Sequence, residues 1–185
     1  MHELILGGQR SGKSRCAESR AGAWLAASPG HSALFIATAR ALDDEMRARI
    51  ARHRHDRAER LPAMATLEEP VALADALRAQ AMPERLIVVD CLTLWLTNLL
   101  MPHGRPIDDA ALAQARDALL DALHSAVQPI VLVSNEIGLG VAPLGADTRR
   151  FVDELGRLHQ AVAAICSRVT LMVAGIEVAV KRSDR

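Results

Sequence analysis

The chain begins with a short apolar segment that runs directly into a glycine-rich phosphate-binding pattern. Residues 4–6 read LIL and residues 7–14 read GGQRSGKS, which matches the pattern G-x-x-x-x-G-K-[ST]. Backbone N–H groups that converge at a helix start hold phosphates well, and glycines let the chain bend closely around the phosphate oxygens. The helix-like stretch at residues 13–27 supplies the context that this motif requires. We therefore predict a nucleotide-binding phosphate loop at residues 7–14 rather than an ordinary glycine-rich turn.

Polar side chains in this loop and further along the chain predict a metal-assisted phosphate site. Lys13 can reach the β and γ phosphates as a catalytic point charge, while the Ser14 hydroxyl can ligate a magnesium ion (Mg2+). Asp90 closes the apolar run 86–89, where a carboxylate can reach the magnesium shell; alternatively, it caps a helix that starts near residue 92. We predict the metal role for Ser14 and Asp90. The whole loop is expected to contact nucleotide: Gly7, Gly8, Gln9, Arg10, Ser11, Gly12, Lys13 and Ser14.

The rest of the chain predicts a single α/β domain over residues 1–185. Short β-branched runs alternate with segments of helical period, which indicates βαβ units around a mostly parallel sheet that is buried on both faces. The expected strands are 3–6, 33–38, 86–90, 130–134 and 169–173, with helices in the gaps. The clearest helix is 150–166, and a second runs from about residue 43 to residue 55. Surface loops are expected at 102–106 and 138–147.

The composition argues against several classes of partner. Because 22 basic and 22 acidic residues cancel, no overall field would attract nucleic acid or an acidic membrane surface. The longest apolar run, residues 86–101, contains polar residues and is shorter than the roughly 20 residues that a membrane span needs. The three cysteines are far apart and form neither a zinc spacing nor an even disulfide framework. We expect a protein of the reducing cytoplasm with no membrane insertion.

A histidine- and arginine-rich segment is the second place where the sequence indicates chemistry. Residues 43–57 read DDEMRARIARHRHDR, and the acidic residues suit the positive end of a helix. A neutral imidazole can attack phosphorus to form a labile phosphoramidate, and neighbouring arginines can neutralise phosphate charge. His53 shares a helical face with Met46 and Ile50, so the segment taken alone favours a hydrogen-bonded histidine at the edge of the core. Nothing in the spacing alone marks a nucleophile.

The sequence resembles the bifunctional adenosylcobinamide kinase and adenosylcobinamide-phosphate guanylyltransferase family of cobalamin biosynthesis. The motifs that carry the resemblance are GGQRSGKS at 7–14, FIATA at 35–39, DDEMRARIARHR at 43–54, VDCLTLWLTNLL at 89–100, VSNEIGLGVAP at 133–143 and LGRLHQ at 155–160. Together they cover nearly the whole chain and are far more specific than a phosphate loop alone. The resemblance implies a RecA-like P-loop NTPase fold and often a homotrimer.

The resemblance also implies two reactions. In the first, ATP or GTP phosphorylates the aminopropanol hydroxyl of adenosylcobinamide. In the second, a histidine attacks the α-phosphorus of GTP, releases pyrophosphate and holds GMP, which adenosylcobinamide phosphate then takes to give adenosylcobinamide-GDP. A covalent relay divides one difficult exchange between highly charged phosphates into two displacements.

The family histidine falls on His53, because DDEM and RI align without a gap and the following His-Arg pair matches His53 and Arg54. The chain departs from many relatives, which carry two adjacent histidines where it has Arg52 and His53, so His55 is the fallback. The family's nucleotide contacts fall on residues in three places. Glu68 is the least secure of them, because Glu69 adjoins it and Met64 stands where relatives usually have tryptophan. The projected contacts are Ala37, Thr38 and Ala39, then Arg54, His55, Asp56 and Arg57, then Glu68 and Asp90.

Two further features leave alternatives open. Asn135 and Glu136 follow the strand at 130–134, where ligands of parallel sheets bind, so they could touch substrate or merely satisfy loop backbone. Trp95 lies among leucines and is expected in the core or a subunit contact rather than against a corrinoid. The rival functions are a small-molecule kinase without a covalent intermediate and a nonenzymatic nucleotide switch. The switch is disfavoured because the chain has no Asn-Lys-x-Asp guanine motif.

Overall fold

A computed structural model describes residues 1–101 and 107–182, with the side chain of Arg49 also outside the description. The loop predicted at 102–106 lies outside the described residues. The described strands form one seven-stranded sheet in the order β3-β2-β4-β5-β1-β6-β7. The neighbouring strands are parallel except for β6 and β7, which are antiparallel. The strands are β1 His2–Gly7, β2 Ser32–Ala37, β3 Met64–Glu68, β4 Arg85–Asp90, β5 Ile130–Val133, β6 Arg168–Val173 and β7 Ile176–Arg182.

Helices connect the strands and cover the sheet. They are α1 Lys13–Ala27, α2 Asp44–Arg60, α3 Leu73–Ala79, α4 Leu92–Leu100, α5 Asp109–Ser125 and α6 Ala146–Ile165. Within residues 1–101 and 107–182, no helix combines the length and the apolar character needed to cross a membrane.

Hydrophobic side chains pack on both faces of the central strands. In β4, Ile87 and Val89 belong to one buried cluster, while Leu86 and Val88 belong to another. Alternate residues of a strand point to opposite faces, so a continuous apolar run is what a sheet covered on both sides requires. This arrangement confirms the predicted α/β sheet, and each end of the five predicted strands lies within one residue of its expected position.

The predicted helices begin and end differently from the expectation. Helix α6 starts at Ala146, inside the loop predicted at 138–147, although its buried stripe of Phe151, Leu155 and Leu158 is as expected. Helix α2 continues to Arg60 rather than ending near residue 55. Its first turn is capped by Asp43, whose carboxylate accepts the Met46 N–H at 2.7 Å, as suits an acidic helix start.

Two strands were not predicted, and both lie at the edges of the sheet. β3 reads MATLE and has mostly exposed residues, so it lacks the apolar run that marked the other strands. β7 alternates Ile176, Val178 and Val180 with more polar neighbours after a turn at residues 174–175. That period of two is a strand signal that the sequence did contain.

Candidate functional site

The turn between β1 and α1 has a backbone shape that only certain residues adopt easily. Gly7 has a φ of 153° and Gly12 a φ of 102°, and Arg10 also has a positive φ of 57°. A Cβ atom on Gly7 would lie 2.5 Å from the Met172 carbonyl oxygen and 2.6 Å from Ser11 Oγ. A larger residue at position 7 would therefore displace either β6 or the loop itself.

Lys13 and Ser14 begin α1 and turn their side chains back toward the sheet edge. Lys13 is 8% exposed, and its Nζ donates to the Gly8 carbonyl at 2.6 Å. The Ser14 hydroxyl donates to Asp90 Oδ2 at 2.7 Å. Ser11 Oγ is buried and has no hydrogen-bond partner among the described residues. The loop thus gathers an ammonium group, two hydroxyls and a carboxylate where a phosphate group would be bound.

Asp90 sits at the carboxyl end of β4 and not in a helix cap. The N-cap residue of α4 is Cys91, which makes no side-chain cap hydrogen bond, while the Asp90 carboxylate is engaged by Ser14. Thr38, which follows β2, is hydrogen-bonded to the residue next to Asp90. Its fully buried hydroxyl donates to the Cys91 carbonyl and accepts the Cys91 N–H, both at 2.8 Å. The strand ends on either side of the site are therefore firmly joined.

Arg57 anchors the carboxyl-terminal half of α2 to the sheet. Its guanidinium lies 3.8 Å from the centroid of the Phe35 ring and donates to Thr66 Oγ1 at 3.2 Å. Burial lowers the pKa of Arg57 below its ordinary value, and the nearby carboxylates of Glu18 and Asp90 oppose that shift. Glu18 belongs to α1, the helix that follows the phosphate loop, and it also pairs with Arg60, so this part of α2 lies beside that helix.

A cavity of about 460 Å³ opens between α2 and β3. Arg54 and Glu68 contact each other at its wall. It therefore brings together predicted nucleotide contacts that lie more than ten residues apart in the sequence. Its lining is formed by Arg54, Arg57, Ala58, Met64, Thr66 and Glu68.

The two candidate histidines of α2 are both exposed, but in different surroundings. His55 Nε2 lies 3.2 Å from Glu59 Oε1, and both side chains are about two-thirds or more exposed, at 73% and 67%. His53 lies one helical turn before Arg57, on the same side of α2. Asp56 is half-buried.

The remaining predicted contacts lie around the same edge of the sheet. Gly8, Gln9 and Arg10 are exposed at the turn, whereas Ala37 and Ala39 are half-buried at the end of β2. Trp95 is a core residue, because it is 1% exposed and its Nε1 donates to the Val71 carbonyl at 2.8 Å.

The end of β5 runs beside the start of the phosphate loop. The Ser134 N–H donates to the Ile5 carbonyl and the Glu136 N–H donates to the Gly7 carbonyl, each at 3.0 Å. One Glu136 carboxylate oxygen, Oε1, accepts the Gly138 N–H at 2.6 Å. Glu136 therefore satisfies loop backbone, as one of the two sequence interpretations expected, and it also lies next to the loop.

A chain of buried polar side chains supports the end of β5. His159 Nε2 lies 2.7 Å from Ser134 Oγ, which lies 3.0 Å from Thr93 Oγ1. Thr93 Oγ1 accepts the Asn135 N–H at 2.8 Å. The other ring nitrogen of His159, Nδ1, lies 3.7 Å from Glu136 Oε2, which is longer than a hydrogen bond.

Sequence reasoning missed His159, because the motif at 155–160 supported only the family resemblance and none of its residues was assigned to the site. The available signal was a histidine four residues after Leu155 and three before Val162, on the buried face of α6. Desolvation lowers the pKa of His159 below its ordinary value, while the Glu136 carboxylate opposes the shift. His159 is thus set up as a neutral imidazole at neutral pH.

Solved structures of other proteins share this fold at low sequence identity. The flagellar accessory protein FlaH from Methanocaldococcus jannaschii superposes with a TM-score of 0.50 at 12% identity, covering 98% of this chain and 78% of its own. A KaiC-like protein from Pyrococcus horikoshii gives a TM-score of 0.52 at 16% identity, covering 92% of this chain and 69% of its own. The likeness concerns the fold alone, a mostly parallel α/β sheet flanked by helices.

Sequence comparisons cover nearly the whole chain. A bifunctional adenosylcobalamin biosynthesis protein, CobP, from Pseudomonas aeruginosa is 53% identical over 181 residues, which is 98% of each chain. The corresponding protein CobU from Escherichia coli is 38% identical, covering 96% of this chain and 98% of its own. A family model described as cobinamide kinase / cobinamide phosphate guanyltransferase matches residues 3–180. The resemblance found in the sequence motifs is confirmed, and the chain belongs to the cobinamide kinase / cobinamide phosphate guanyltransferase family.

Proposed function

We propose that the phosphate loop first serves a kinase step, in which ATP or GTP phosphorylates the aminopropanol hydroxyl of adenosylcobinamide. The observation that carries this proposal is the meeting of Lys13, Ser14 and Asp90 at one edge of the sheet. On nucleotide binding, the Lys13 ammonium exchanges its Gly8 carbonyl partner for phosphate oxygens. A positive charge held beside the transferring phosphoryl group stabilises the charge that moves onto the leaving diphosphate.

The residues at this edge also fit a magnesium ion. A serine hydroxyl and a carboxylate that already lie 2.7 Å apart are hard oxygen donors of the kind that Mg2+ prefers. Ser14 and Asp90 would hold the ion, which would neutralise charge on the β and γ phosphates.

We propose that a second step on the same loop guanylylates His53. The imidazole nitrogen forms a bond to the α-phosphorus of GTP as the bond to pyrophosphate breaks. The phosphate of adenosylcobinamide phosphate then attacks the same phosphorus, which releases the imidazole and gives adenosylcobinamide-GDP. Each displacement has its own leaving group, so the corrinoid phosphate attacks a guanylyl-imidazole rather than the highly charged triphosphate of GTP.

The geometry of α2 supports His53 over His55 as the nucleophile. With about 100° of rotation per residue, His53 lies within about 40° of Arg57 around the helix, whereas His55 lies about 160° away. Arg57 lies on the side of α2 that packs on Phe35, and the charge of Asp90 acts on its guanidinium. His55 is instead paired with Glu59 toward solvent.

The cavity between α2 and β3 supports a nucleotide position close to His53. Arg54 and Arg57 line it and supply positive charge for phosphate oxygens, while Glu68 supplies carboxylate acceptors for N–H groups of a base. Binding would require Arg54 and Glu68 to exchange part of their mutual contact for ligand.

The test is covalent labelling with GTP that carries the label in its α-phosphate. The wild-type protein should retain label that is acid-labile and base-stable, as a phosphoramidate is. His53→Ala should abolish the adduct, and His55→Ala is the matched control that should keep it. Label that persists in His53→Ala but disappears in His55→Ala would move the nucleophile to His55.

A kinase without a covalent intermediate is the rival that this experiment excludes. If neither variant nor wild type retains label, while cobinamide is still phosphorylated, only the kinase step survives. Nucleotide turnover that depends on the corrinoid would distinguish the bifunctional enzyme and the simple kinase from a nucleotide switch.

Homotrimeric assembly and a cytoplasmic location are additional proposals that rest on the same family membership. Light scattering coupled to size-exclusion chromatography would test the first, because a trimer has three times the mass of the 19.9 kDa chain. Cell fractionation would test the second.

A further inference from the structure

The edge of the sheet that holds the phosphate loop carries several carboxylates, and most are already engaged. Glu68 contacts an arginine of α2, and Glu69 accepts two backbone N–H groups of the loop that follows β3. Asp90 accepts the serine hydroxyl that begins α1. Glu136 Oε1 accepts a loop N–H, while its Oε2 makes only the long contact with a histidine among the described residues. One carboxylate oxygen beside the phosphate loop therefore has remaining capacity for a proton.

The position of Glu136 relative to the loop is set by the backbone. Its N–H donates to the carbonyl of Gly7, the first residue of the loop, at 3.0 Å. Its side chain is 22% exposed, so a ligand can reach it. Glu136 follows β5, the immediate neighbour of β1, whereas Asp90 ends β4, the next strand on the same side. A nucleotide held by the loop would thus have Glu136 directly beside the loop and the metal-side carboxylate one strand further along the sheet.

The Glu136 carboxylate sets the direction of hydrogen bonding in the buried chain behind it. The nitrogen of His159 that faces Glu136 Oε2 is Nδ1, and an ionised carboxylate can only accept, so it favours the tautomer with the proton on Nδ1. Nε2 of a neutral His159 then accepts, and Ser134 Oγ donates to it at 2.7 Å. Thr93 Oγ1, which accepts the Asn135 N–H, can donate to Ser134 in turn.

This order gives His159 a definite effect on Glu136. An N–H directed at one carboxylate oxygen fixes the rotation of the carboxylate plane. The 3.7 Å separation closes to a hydrogen bond with a small movement, and such contacts often tighten once substrate is bound. Burial keeps His159 from taking a proton itself, because it lowers the pKa of the imidazole.

We propose that Glu136 accepts the proton of the corrinoid's hydroxyl during phosphoryl transfer and that His159 is the residue that positions it. The inference rests on the proposed kinase step. The hydroxyl oxygen forms a bond to the γ-phosphorus, the bond from that phosphorus to the bridging oxygen breaks, and the hydroxyl proton moves to Glu136 Oε2. The nucleoside diphosphate leaves with the electron pair, and Glu136 later returns the proton to solvent.

Glu136→Gln tests the proposal most directly. Glutamine keeps an oxygen acceptor for the Gly138 N–H but cannot take a proton, so kcat for cobinamide phosphorylation should fall on the order of 10²–10⁴-fold. KM for cobinamide should change little, because the hydroxyl still has a hydrogen-bond partner. Formation of the guanylyl adduct should persist, since no hydroxyl is deprotonated in that step. Asp121→Asn, an exposed change on α5, is the matched control and should leave kcat unchanged.

Variants of His159 separate positioning from structural support. His159→Leu removes the Nδ1–H and should lower kcat for phosphorylation at least tenfold while the adduct still forms. His159→Asn places an amide N–H near the Nδ1 position and should restore part of that loss. A purely structural role would instead lower both activities together and follow the loss of stability.

The outcomes distinguish this inference from the function on which it rests. Phosphorylation by Glu136→Gln within about threefold of wild type would overturn the role of Glu136 while the kinase proposal stands. A wild-type protein that cannot phosphorylate cobinamide would overturn both. Loss of guanylylation and phosphorylation together in Glu136→Gln would also overturn it, because the carboxylate would then be needed for the loop itself.

Discussion

The phosphate loop and the histidine helix α2 are built in opposite ways. In the loop, the Lys13 and Ser14 side chains are buried or half-buried and already hydrogen-bonded, to Gly8 and Asp90 respectively. In α2, most side chains before Arg57 are exposed, and the strong anchoring contacts lie at its carboxyl-terminal end. There Arg60 pairs with Glu18, which is 7% exposed, at 2.8 Å.

The difference matches what each region is proposed to do. A cradle that stabilises charge works best when its donors are fixed before the substrate arrives. A nucleophile that first receives GMP and then presents it to a second substrate needs room to move. Anchoring α2 at one end leaves the turn that carries His53 less constrained than the phosphate loop.

Among changes that compare the phosphate loop with α2, the largest expected effect comes from removing the Lys13 charge of the loop. Lys13→Ala should lower kcat for phosphorylation roughly 10²–10³-fold, the cost of losing one preorganised donor to a developing charge. Guanylylation should fall as well, because one loop serves both steps. Steady-state assays of both reactions measure the change.

Lys181→Ala is the control for Lys13→Ala, because Lys181 pairs with Val169 at the opposite end of the sheet. It should leave both reactions intact. If guanylylation survived Lys13→Ala while phosphorylation vanished, the two steps would need separate nucleotide sites.

A methyl group at Gly7 should test how rigid the phosphate loop is. The added Cβ would lie 2.5 Å from the Met172 carbonyl, so Gly7→Ala should reduce the free energy of unfolding by about 1–3 kcal/mol, the usual cost of overpacking. Gly8→Ala is a matched control, because nothing lies within 4 Å of a Cβ there. Denaturant unfolding compares them, and equal losses in the two variants would mean that the loop yields easily.

Loosening the anchored end of α2 should have a smaller effect. Arg57→Met keeps the apolar stem but removes the contact with Phe35 and the hydrogen bond to Thr66. We expect a loss of about 1 kcal/mol in the free energy of unfolding, because the burial cost of the guanidinium disappears with its contacts. Amide hydrogen exchange in α2 should also become faster.

Arg52→Met controls for the loss of a charge, since Arg52 is exposed on the same helix. Its free energy of unfolding should change by no more than about 0.5 kcal/mol. If both variants lost the same stability, the anchor would lie elsewhere than at Arg57.

The smallest expected effect is a change in how the free energy of unfolding depends on pH, and it comes from His159, near the phosphate loop. His159 has a pKa below 6.5 in the folded protein, so the unfolded chain binds more protons at mildly acidic pH. The stability that a neutral His159 provides is complete above pH 6.5 and falls as pH drops below it. His159→Asn should therefore lose less stability than wild type between pH 7.5 and 5.5, measured by denaturant unfolding. The same pH dependence in both proteins would mean that His159 is as easily protonated when folded as when unfolded.

The central fold was predictable because its signals are local. Continuous apolar runs such as residues 86–89 indicate strands buried on both faces, and the observed sheet confirms them. Edge strands carry weaker signals, because one side of each faces solvent. Thr66 and Glu68 in β3 are exposed, and β7 was recognisable only by the alternation of its apolar residues.

The candidate site was predictable where a sequence motif implies a known local structure. Lys13 and Ser14 follow from the glycine pattern, and Asp90 follows from its place after a buried strand. The chain from Thr93 through Ser134 to His159 was not predictable in this way. Its members come from two helices and the end of a strand, and only the three-dimensional packing brings their hydroxyl and imidazole groups together.

The register of β4 sets the position of Asp90 relative to Ser14, the two residues proposed to hold magnesium. Asp90 reaches Ser14 only because Asp90 aligns with Ala37 of β2 and with Val133 of β5. An insertion of one residue inside β4 would turn the carboxylate to the other face of the sheet, whereas the loop before β4 could absorb the same insertion. Length variation among relatives should therefore be found between Gln80 and Glu84 and be absent from the strand itself.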